Sequence, residues 1–477
     1  AYDRRIPKMV DMYFTEMSQI LDSVAKQLNR ESIVAIDIGD SIYAGVHVPT
    51  DKILSEIIAD KGFNLVASVP LRKRLSKSGQ PLTQVLLIFN GPDRQGRKSV
   101  SKAHPWQKQW IDFTSDLPHQ SQPFAKRNWG HPLHSLCSYQ GKMKPSLAHH
   151  LVKTFVPHGG RLLDPFAGVG TIPFEGALQG VEAYGFEISP AAFYIAKAKL
   201  GIPDPQAVSE LLNSLEMFLN KQSVDASELS DARKFGFNRS LEDYFEKRTL
   251  EEIVLARRFF METPPNTPSE CLVFACLLHI LHGNRPYALS RRSHPITPFA
   301  PSGDLEYRPL MMRLRQKVDR SLEVDYPREF INGEMFFQDA TKWWPSEVDD
   351  LDAIITSPPF FDSTRFYLAN WMRLWFCGWN ESDFKTKPKN FIDEQQKHSF
   401  SIYEPILRQC RERLKPGGVV VFHLGSSRKC DMATELSKVA SRWFTVEGVF
   451  SESVSHCESH GIKDKGTVTG HQYLVLT

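Results

Sequence analysis

The sequence predicts an α/β protein built on an open, mainly parallel sheet. Three observations carry that expectation. Short apolar runs, Leu162-Leu163, Ile354-Ile355 and Val419-Val420-Val421-Phe422, have the length of buried strands. The first two give way at once to loops that cannot prolong a strand, one rich in glycine and one opened by paired prolines. Helix-like runs such as Ile172 to Leu178 lie between the strands.

The upstream loop is Leu162-Leu163-Asp164-Pro165-Phe166-Ala167-Gly168-Val169-Gly170-Thr171. Gly168 and Gly170 permit positive φ and a close backbone approach to a ligand, and Asp164 stands where the strand ends. Past the helix, Ala183-Tyr184-Gly185-Phe186-Glu187 forms a second short strand that ends in an acid. A glycine-rich strand-to-helix turn followed by a strand-terminal acid holds a nucleoside, with the acid on the ribose hydroxyls. The loop-to-acid spacing is shorter than the roughly 20 residues of a dinucleotide fingerprint, and the third glycine is missing, so NAD is the poorer fit.

The downstream loop, Thr356-Ser357-Pro358-Pro359-Phe360, follows the apolar run Leu351-Asp352-Ala353-Ile354-Ile355. Two prolines forbid both helix and further ladder pairing, so the chain leaves the sheet in a fixed extended turn. A hydroxyl, a carbonyl without a competing N–H and an aromatic ring then sit together at the carboxyl end of a strand, where open α/β sheets bind ligands. The set suits gripping the exocyclic amine of a flat ring, with Phe360 stacked on its face. Prolines of this kind commonly just end a strand; the glycine loop upstream is what lifts the motif above that reading.

Together these two loops resemble those of the S-adenosylmethionine-dependent amino-methyltransferases of DNA, of the bacterial restriction–modification type. Tyr139-Gln140-Gly141-Lys142 with Pro145, Gln338-Asp339-Ala340, Leu414-Lys415-Pro416-Gly417-Gly418 before Val419 to Phe422, and His471-Gln472-Tyr473-Leu474-Val475-Leu476 resemble further pieces of that family. The resemblance spans residues 130 to 477 and implies a Rossmann-like class I methyltransferase sheet. It implies S-adenosylmethionine as cofactor, held by Tyr139, Asp164, Pro165, Phe166, Ala167, Gly168, Gly170, Thr171, Glu187, Asp339, Ala340 and Thr356. The catalytic loop it implies is Ser357, Pro358, Pro359 and Phe360. Serine at the first position of that loop goes mostly with the N4 amine of cytosine in the family, and Asp or Asn with N6 of adenine. The expected activity is therefore site-specific cytosine-N4 methylation of double-stranded DNA. N6-adenine methylation, methylation of RNA, and an inactive DNA-binding or assembly subunit are the alternatives. Candidate partners are a cognate restriction endonuclease, a defence-system subunit, or a second copy of the chain.

At 477 residues the chain is long enough for two or three domains. A charged content of 24% and a hydrophobic content of 41% are those of a globular protein. Net charge is only +3, so a nucleic-acid surface has to come from local clustering. Seven scattered cysteines, none in a CxxC pair, argue against a disulfide framework or a zinc site and fit a reducing cytoplasm. No metal is expected. The opening Ala-Tyr-Asp-Arg-Arg is unlike a signal peptide. Cys271 to Leu281 is the most apolar stretch, too short to span a membrane, and reads as a buried helix.

Residues 1–90 echo the C-terminal half. Ile33-Val34-Ala35-Ile36-Asp37-Ile38-Gly39-Asp40-Ser41 parallels Val419-Val420-Val421-Phe422-His423-Leu424-Gly425-Ser426-Ser427. Helical patterns precede and follow each, and each segment closes on a terminal strand, Gln84 to Phe89 and His471 to Leu476. This first unit is a partial methyltransferase-like half-domain, either a truncated tandem copy or a permuted completion of the sheet around Asp164. Residues 91–129, with Arg94, Arg97, Lys98, Lys102, Lys126 and Arg127, read as a basic linker. Residues 130–201 form the cofactor-binding half and 333–477 the catalytic half. Between them, 202–332 is a mainly helical insert, for example Ser240 to Met261 and Glu270 to Leu281, whose later part turns basic. Arg285, Arg291 and Arg292, beside Tyr287 and His294, are its candidate nucleic-acid contacts. Arg313, Arg315 and Arg320 fit a solvated helix face.

Overall fold

Alternate residues on each central strand bury into opposite layers, and that alternation sets the architecture. The computed structural model describes residues 5–28, 32–43, 46–76, 81–92, 104–126, 128–237, 239–361, 365–453 and 468–477. Arg94, Arg97, Lys98, Lys102, Arg127 and Cys457 lie outside the described residues.

The N-terminal unit comprises α1 (Arg5–Ala25), β1 (Ile33–Gly39), the hairpin β2 (Ser41–Tyr43) and β3 (Val46–Val48), α2 (Thr50–Asp60), β4 (Asn64–Leu75) and β5 (Pro81–Asn90). The sheet order is β1-β5-β4, with β5 antiparallel to both neighbours. Leu21, Leu54, Ile58, Phe63, Val85, Leu87 and Phe89 close its core beneath the two helices.

Residues 104–126 depart from the expected linker. They contain α3 (Gln107–Asp116), which buries Trp106 and Phe113 with α4 (Pro145–Phe155) against one face of the main sheet. Then come β6 (Arg161–Asp164), α5 (Thr171–Leu178), β7 (Glu182–Glu187) and α6 (Pro190–Lys197). The insert follows as α7 (Pro205–Lys221), α8 (Ala226–Lys234), α9 (Leu241–Tyr244), α10 (Lys247–Glu262), α11 (Pro268–Ile280) and α12 (Leu310–Leu322). The helix expected over 240–261 is thus two helices. Glu246 interrupts it and caps α10 by accepting from the Arg248 and Thr249 amides. A Thr267–Glu270 capping box with Pro268 in the first turn starts α11. Every residue from Cys271 to Ile280 is buried, so this helix is apolar all round because it lies inside.

Residues 333–477 hold β8 (Glu334–Phe337), β9 (Leu351–Thr356), the short helices α13 (Phe366–Ala369), α14 (Trp371–Phe376), α15 (Glu381–Thr386) and α16 (Ile392–Gln395), then α17 (Glu404–Arg413), β10 (Leu414–Ser427), α18 (Met432–Ala440), β11 (Val446–Ser453) and β12 (Val468–Leu476). The main sheet runs β11-β12-β10-β9-β6-β7-β8. Its strands from β10 to β8 pair in parallel, and β12 is antiparallel to both β10 and β11. Leu162, Ala353, Ile355, Val419 and Val421 face α3 and α4. Leu163, Ile354, Val420 and Phe422 face Tyr403, Ile406 and Leu407 near and on α17, and Leu436 on α18. This is the Rossmann-like methyltransferase sheet expected from the two loops. Strand order reverses between β6 and β9, and ligands bind at the carboxyl ends of strands at such a switch point.

The order β10-β12-β11, with the last strand between the other two, repeats β1-β5-β4. Helices α17 and α18 occupy the chain positions of α1 and α2. The edge strands β4 and β11 lie side by side, a Cβ on Gly448 being 3.9 Å from the Val66 carbonyl.

Candidate active site

The glycine loop is held open by its own sequence. Asp164 Oδ1 accepts from the Phe166 amide at 3.0 Å, turning the chain out of β6. The Ala167 amide donates to the Phe186 carbonyl of β7 at 3.0 Å. Gly170, with φ 69°, starts α5, and a Cβ there would stand 2.8 Å from that of Ala196, so only glycine fits. Gly168, with φ 52°, has open space where its Cβ would be. Thr171, Pro165 and Ala167 are buried behind the loop, while Phe166 is half-buried.

Three further pieces border that space. Glu187, at the end of β7, accepts from the Ile188 and Ser189 amides at 2.9 and 2.7 Å. Tyr139 is close enough to Glu187 for the two to interact electrostatically. Asp339 follows β8; its Oδ1 takes both the Thr341 amide and hydroxyl, leaving Oδ2 without a partner among the described residues. Ala340 is buried beneath it, and the Gln338 amide donates to the Glu187 carbonyl at 3.1 Å.

The loop is electrostatically unusual. Burial pushes the Asp164 carboxyl up to about 7 against the opposing hydrogen bonds from Thr356 and Phe166, and the Glu187 charge adds to the rise. Burial likewise lifts Glu187 to about 7, against amides of Ser189, Ile188 and Gly168. Glu187 keeps some solvent contact, so Asp164 is the more firmly perturbed of the two. Burial, then the Glu187 charge, raises the Tyr139 phenol. Two carboxyls of this kind beside an open glycine loop fit a ligand that brings positive charge and hydroxyl donors.

The proline loop opens onto the same edge. Thr356 Oγ1 donates to Asp164 Oδ1 at 2.6 Å in a buried contact across 192 residues of sequence. Ser357 Oγ lies 3.1 Å from His423 Nδ1. The Pro359 carbonyl accepts from Gln396 Nε2 at 2.9 Å, and Tyr403 holds Gln396 in turn. No described residue donates to the Pro358 carbonyl. Phe360 lies across Gly425, where a Cβ would come within 2.6 Å of the ring, and beside His423 and His471. Its half-buried ring therefore packs one face on β10. Sequence reasoning missed Gln396, Tyr403 and His423; nothing in their local patterns distinguishes them from a helix surface or a strand interior.

The insert borders this edge as well. Thr297 Oγ1 donates to Gln140 Oε1 at 3.2 Å. The fully buried Arg373 guanidinium donates to the carbonyls of Leu278, Pro295 and Ile296, fixing the preceding loop. Arg285 and Arg292 are exposed. Arg291 is not free to reach a phosphate as expected, because its guanidinium donates to the carbonyls of Gly303 at 2.7 Å and Asp243 at 3.1 Å. Arg315 pairs with Glu216 and Asn213. Among the described residues no cluster of His, Cys, Asp and Glu could hold a metal ion, and no helix is long and apolar enough to cross a membrane.

Residues 134–226, which contain the glycine loop and Glu187, match the RMKL-like methyltransferase domain family. The chain is similar to the type II methyltransferase M.MvaI of Kocuria varians, 31% identical over 104 residues, which are 21% of this chain and 23% of that protein. It is also similar to the type II methyltransferase M.MjaII of Methanocaldococcus jannaschii, 33% identical over 99 residues, 21% of this chain and 18% of the relative. The chain thus spans under a quarter of the length of these curated relatives. Among solved structures, a TehB-like S-adenosylmethionine-dependent methyltransferase from Corynebacterium glutamicum aligns over 80% of this chain and 99% of its own, at 11% identity and TM-score 0.27. TrmN from Thermus thermophilus aligns over 96% of this chain and 77% of its own, at 11% identity and TM-score 0.26. S-adenosylmethionine is the cofactor that goes with this methyltransferase fold.

Proposed function

We propose that this chain methylates the exocyclic N4 amine of cytosine within a specific sequence of double-stranded DNA. One observation carries the reading: the Thr356–Asp164 hydrogen bond ties the proline loop to the glycine loop at the carboxyl ends of adjacent parallel strands. A donor held over Gly168 and an acceptor base held by Ser357 then share one opening.

S-adenosylmethionine supplies an electrophilic methyl group on a positively charged sulfur. The open space over Gly168, Glu187 for the ribose hydroxyls, Asp339 Oδ2 for the adenine amine and Tyr139 beside the loop suit it. Direct displacement asks the protein mainly for alignment and an available nitrogen lone pair. The amine of cytosine is a poor nucleophile because its lone pair is delocalised into the ring. Ser357 Oγ and the Pro358 carbonyl accept its two N–H bonds, drawing the nitrogen toward a tetrahedral shape. Phe360 offers its outer face to the base, which leaves the duplex at a cost of a few kcal/mol.

Serine at position 357 supports cytosine over adenine, on the family resemblance. DNA as substrate is supported by what the two type II relatives are named for, over a fifth of this chain. Arg285 and Arg292 are the surface cations proposed to meet phosphate. Residues 1–90 are proposed as a partial second copy of the catalytic half, a reading supported by the shared order of β1-β5-β4 and β10-β12-β11. Transfer of labelled methyl from S-adenosylmethionine to duplex DNA of mixed sequence tests the proposal, with tRNA as the comparison substrate. Labelling of DNA by the wild type, reduced in Ser357→Ala, is the expected result; labelling of tRNA alone refutes it.

A further inference from the structure

Ser357 does not face the opening alone. His423 lies on β10 beside the end of β9, where Phe422 pairs with Thr356, and it is 5% exposed. Its Nδ1 meets Ser357 Oγ at 3.1 Å, whereas Nε2 is buried with no hydrogen-bond partner among the described residues. Rings surround it: His471 at 4.7 Å, Tyr473 at 5.2 Å and Phe360 at 5.6 Å between centroids. Tyr473, whose ring packs beside it, donates its hydroxyl to Glu452 Oε2 at 2.6 Å, and Glu452 also meets His119. Buried His134 and His282 also have one ring nitrogen without a hydrogen-bond partner among the described residues, so what sets His423 apart is that its other nitrogen meets the loop serine.

The N-terminal unit supplies an independent observation. Asp37 pairs with Leu86 across β1 and β5 as His423 pairs with Tyr473 across β10 and β12. The matched runs 33–41 and 419–427 put Asp37 at the position of His423. Gln84, opposite Gly39 as His471 is opposite Gly425, donates to Asp37 at 2.8 and 3.0 Å. The exposed Asp37 carboxylate thus accepts at this strand position in the N-terminal unit, where the matched position in the C-terminal unit holds the buried His423. Burial, with His471 and His119 adding to it and Glu452 opposing, holds the His423 imidazole in its neutral form, which can accept through Nδ1.

We infer that His423 is a positioning residue for Ser357: the Ser357 hydroxyl donates to Nδ1, which fixes its rotamer and leaves both oxygen lone pairs toward the substrate amine. The inference rests on the amine-gripping role of Ser357 proposed above. Asparagine places an amide oxygen near the position of Nδ1, while glutamine, closer to histidine in volume, places it near Nε2. With labelled S-adenosylmethionine and duplex DNA, His423→Asn is expected to keep the rate constant within about threefold. His423→Gln is expected to lose about 10- to 100-fold, the scale of one catalytic hydrogen bond. Cofactor affinity, measured by calorimetry, stays at the wild-type value in both and confirms folding. On a Ser357→Ala background the glutamine change is expected to add less than about twofold, because a residue acting only through Ser357 has nothing left to position. Glutamine more active than asparagine, or an undiminished extra loss on the alanine background, overturns the inference and makes His423 a packing residue. Wild-type protein that binds cofactor but methylates no nucleic acid overturns the proposed function itself and this inference with it.

Discussion

Substituting Asp164 by Asn separates the hydrogen bonds of the loop from its charge. An Asn carbonyl can still accept from Thr356 Oγ1 and the Phe166 amide, the two contacts made by Asp164 Oδ1. What disappears is a carboxyl whose acidity burial has moved from 3.8 to about 7. The unfolded chain releases this proton near 3.8 and the folded chain holds it to about 7, so between those values the folded state binds more protons. Stability from this group is therefore present at low pH and is lost as pH rises through the window. At about 1.4 kcal/mol per pH unit, the group costs about 1–2 kcal/mol at pH 5 and about 4 kcal/mol at pH 8, a loss of about 2–3 kcal/mol between them. Urea unfolding of cofactor-free protein at both pH values checks this. Asp164→Asn should gain on the wild type at pH 8 by more than it does at pH 5. An equal pH dependence in both proteins, or a variant that is weaker at pH 8, would refute the buried-carboxyl argument.

Cofactor binding near pH 6.5 should release protons, because a cation beside Asp164 and Glu187 favours their ionised forms; titration calorimetry in buffers of different ionisation heat reads the number. Gly170→Ala forces a left-handed φ and a Cβ 2.8 Å from Ala196, and should cost about 2–5 kcal/mol of stability in denaturant titrations. Gly168→Ala meets open space and should lower stability by only about 1–2 kcal/mol while weakening cofactor affinity at least tenfold. Thr356→Val cuts the bond to Asp164 and leaves a buried acceptor short of a partner, so both stability and methyl transfer should fall, stability by about 1–3 kcal/mol.

The features legible in the sequence are those whose chemistry is local. The glycine turn after Asp164 and the proline exit after Thr356 each declare a strand end, because backbone rules act over a few residues. Seven-strand order follows less directly: the turn expected at Leu414 to Gly418 lies within β10, where the pairing with β9 shifts register between Leu414 and Val419. Residues whose role depends on distant partners were not legible. His423 looks like one more position in an apolar strand until the fold sets Ser357 beside it. Arg291 reads as surface charge until two backbone carbonyls, Gly303 and Asp243, claim its guanidinium. Helix α3 hides in a stretch of Gly, Pro, Ser and basic residues, although Trp106, Trp110 and Phe113 pack at the sheet face.

Nucleoside mass spectrometry of DNA methylated by the purified chain tests the central claim most directly. N4-methylcytosine, formed by the wild type and strongly reduced in Ser357→Ala with cofactor binding intact, is the predicted outcome. N6-methyladenine as the sole product, or undiminished methylation by the alanine variant, would contradict the proposed account.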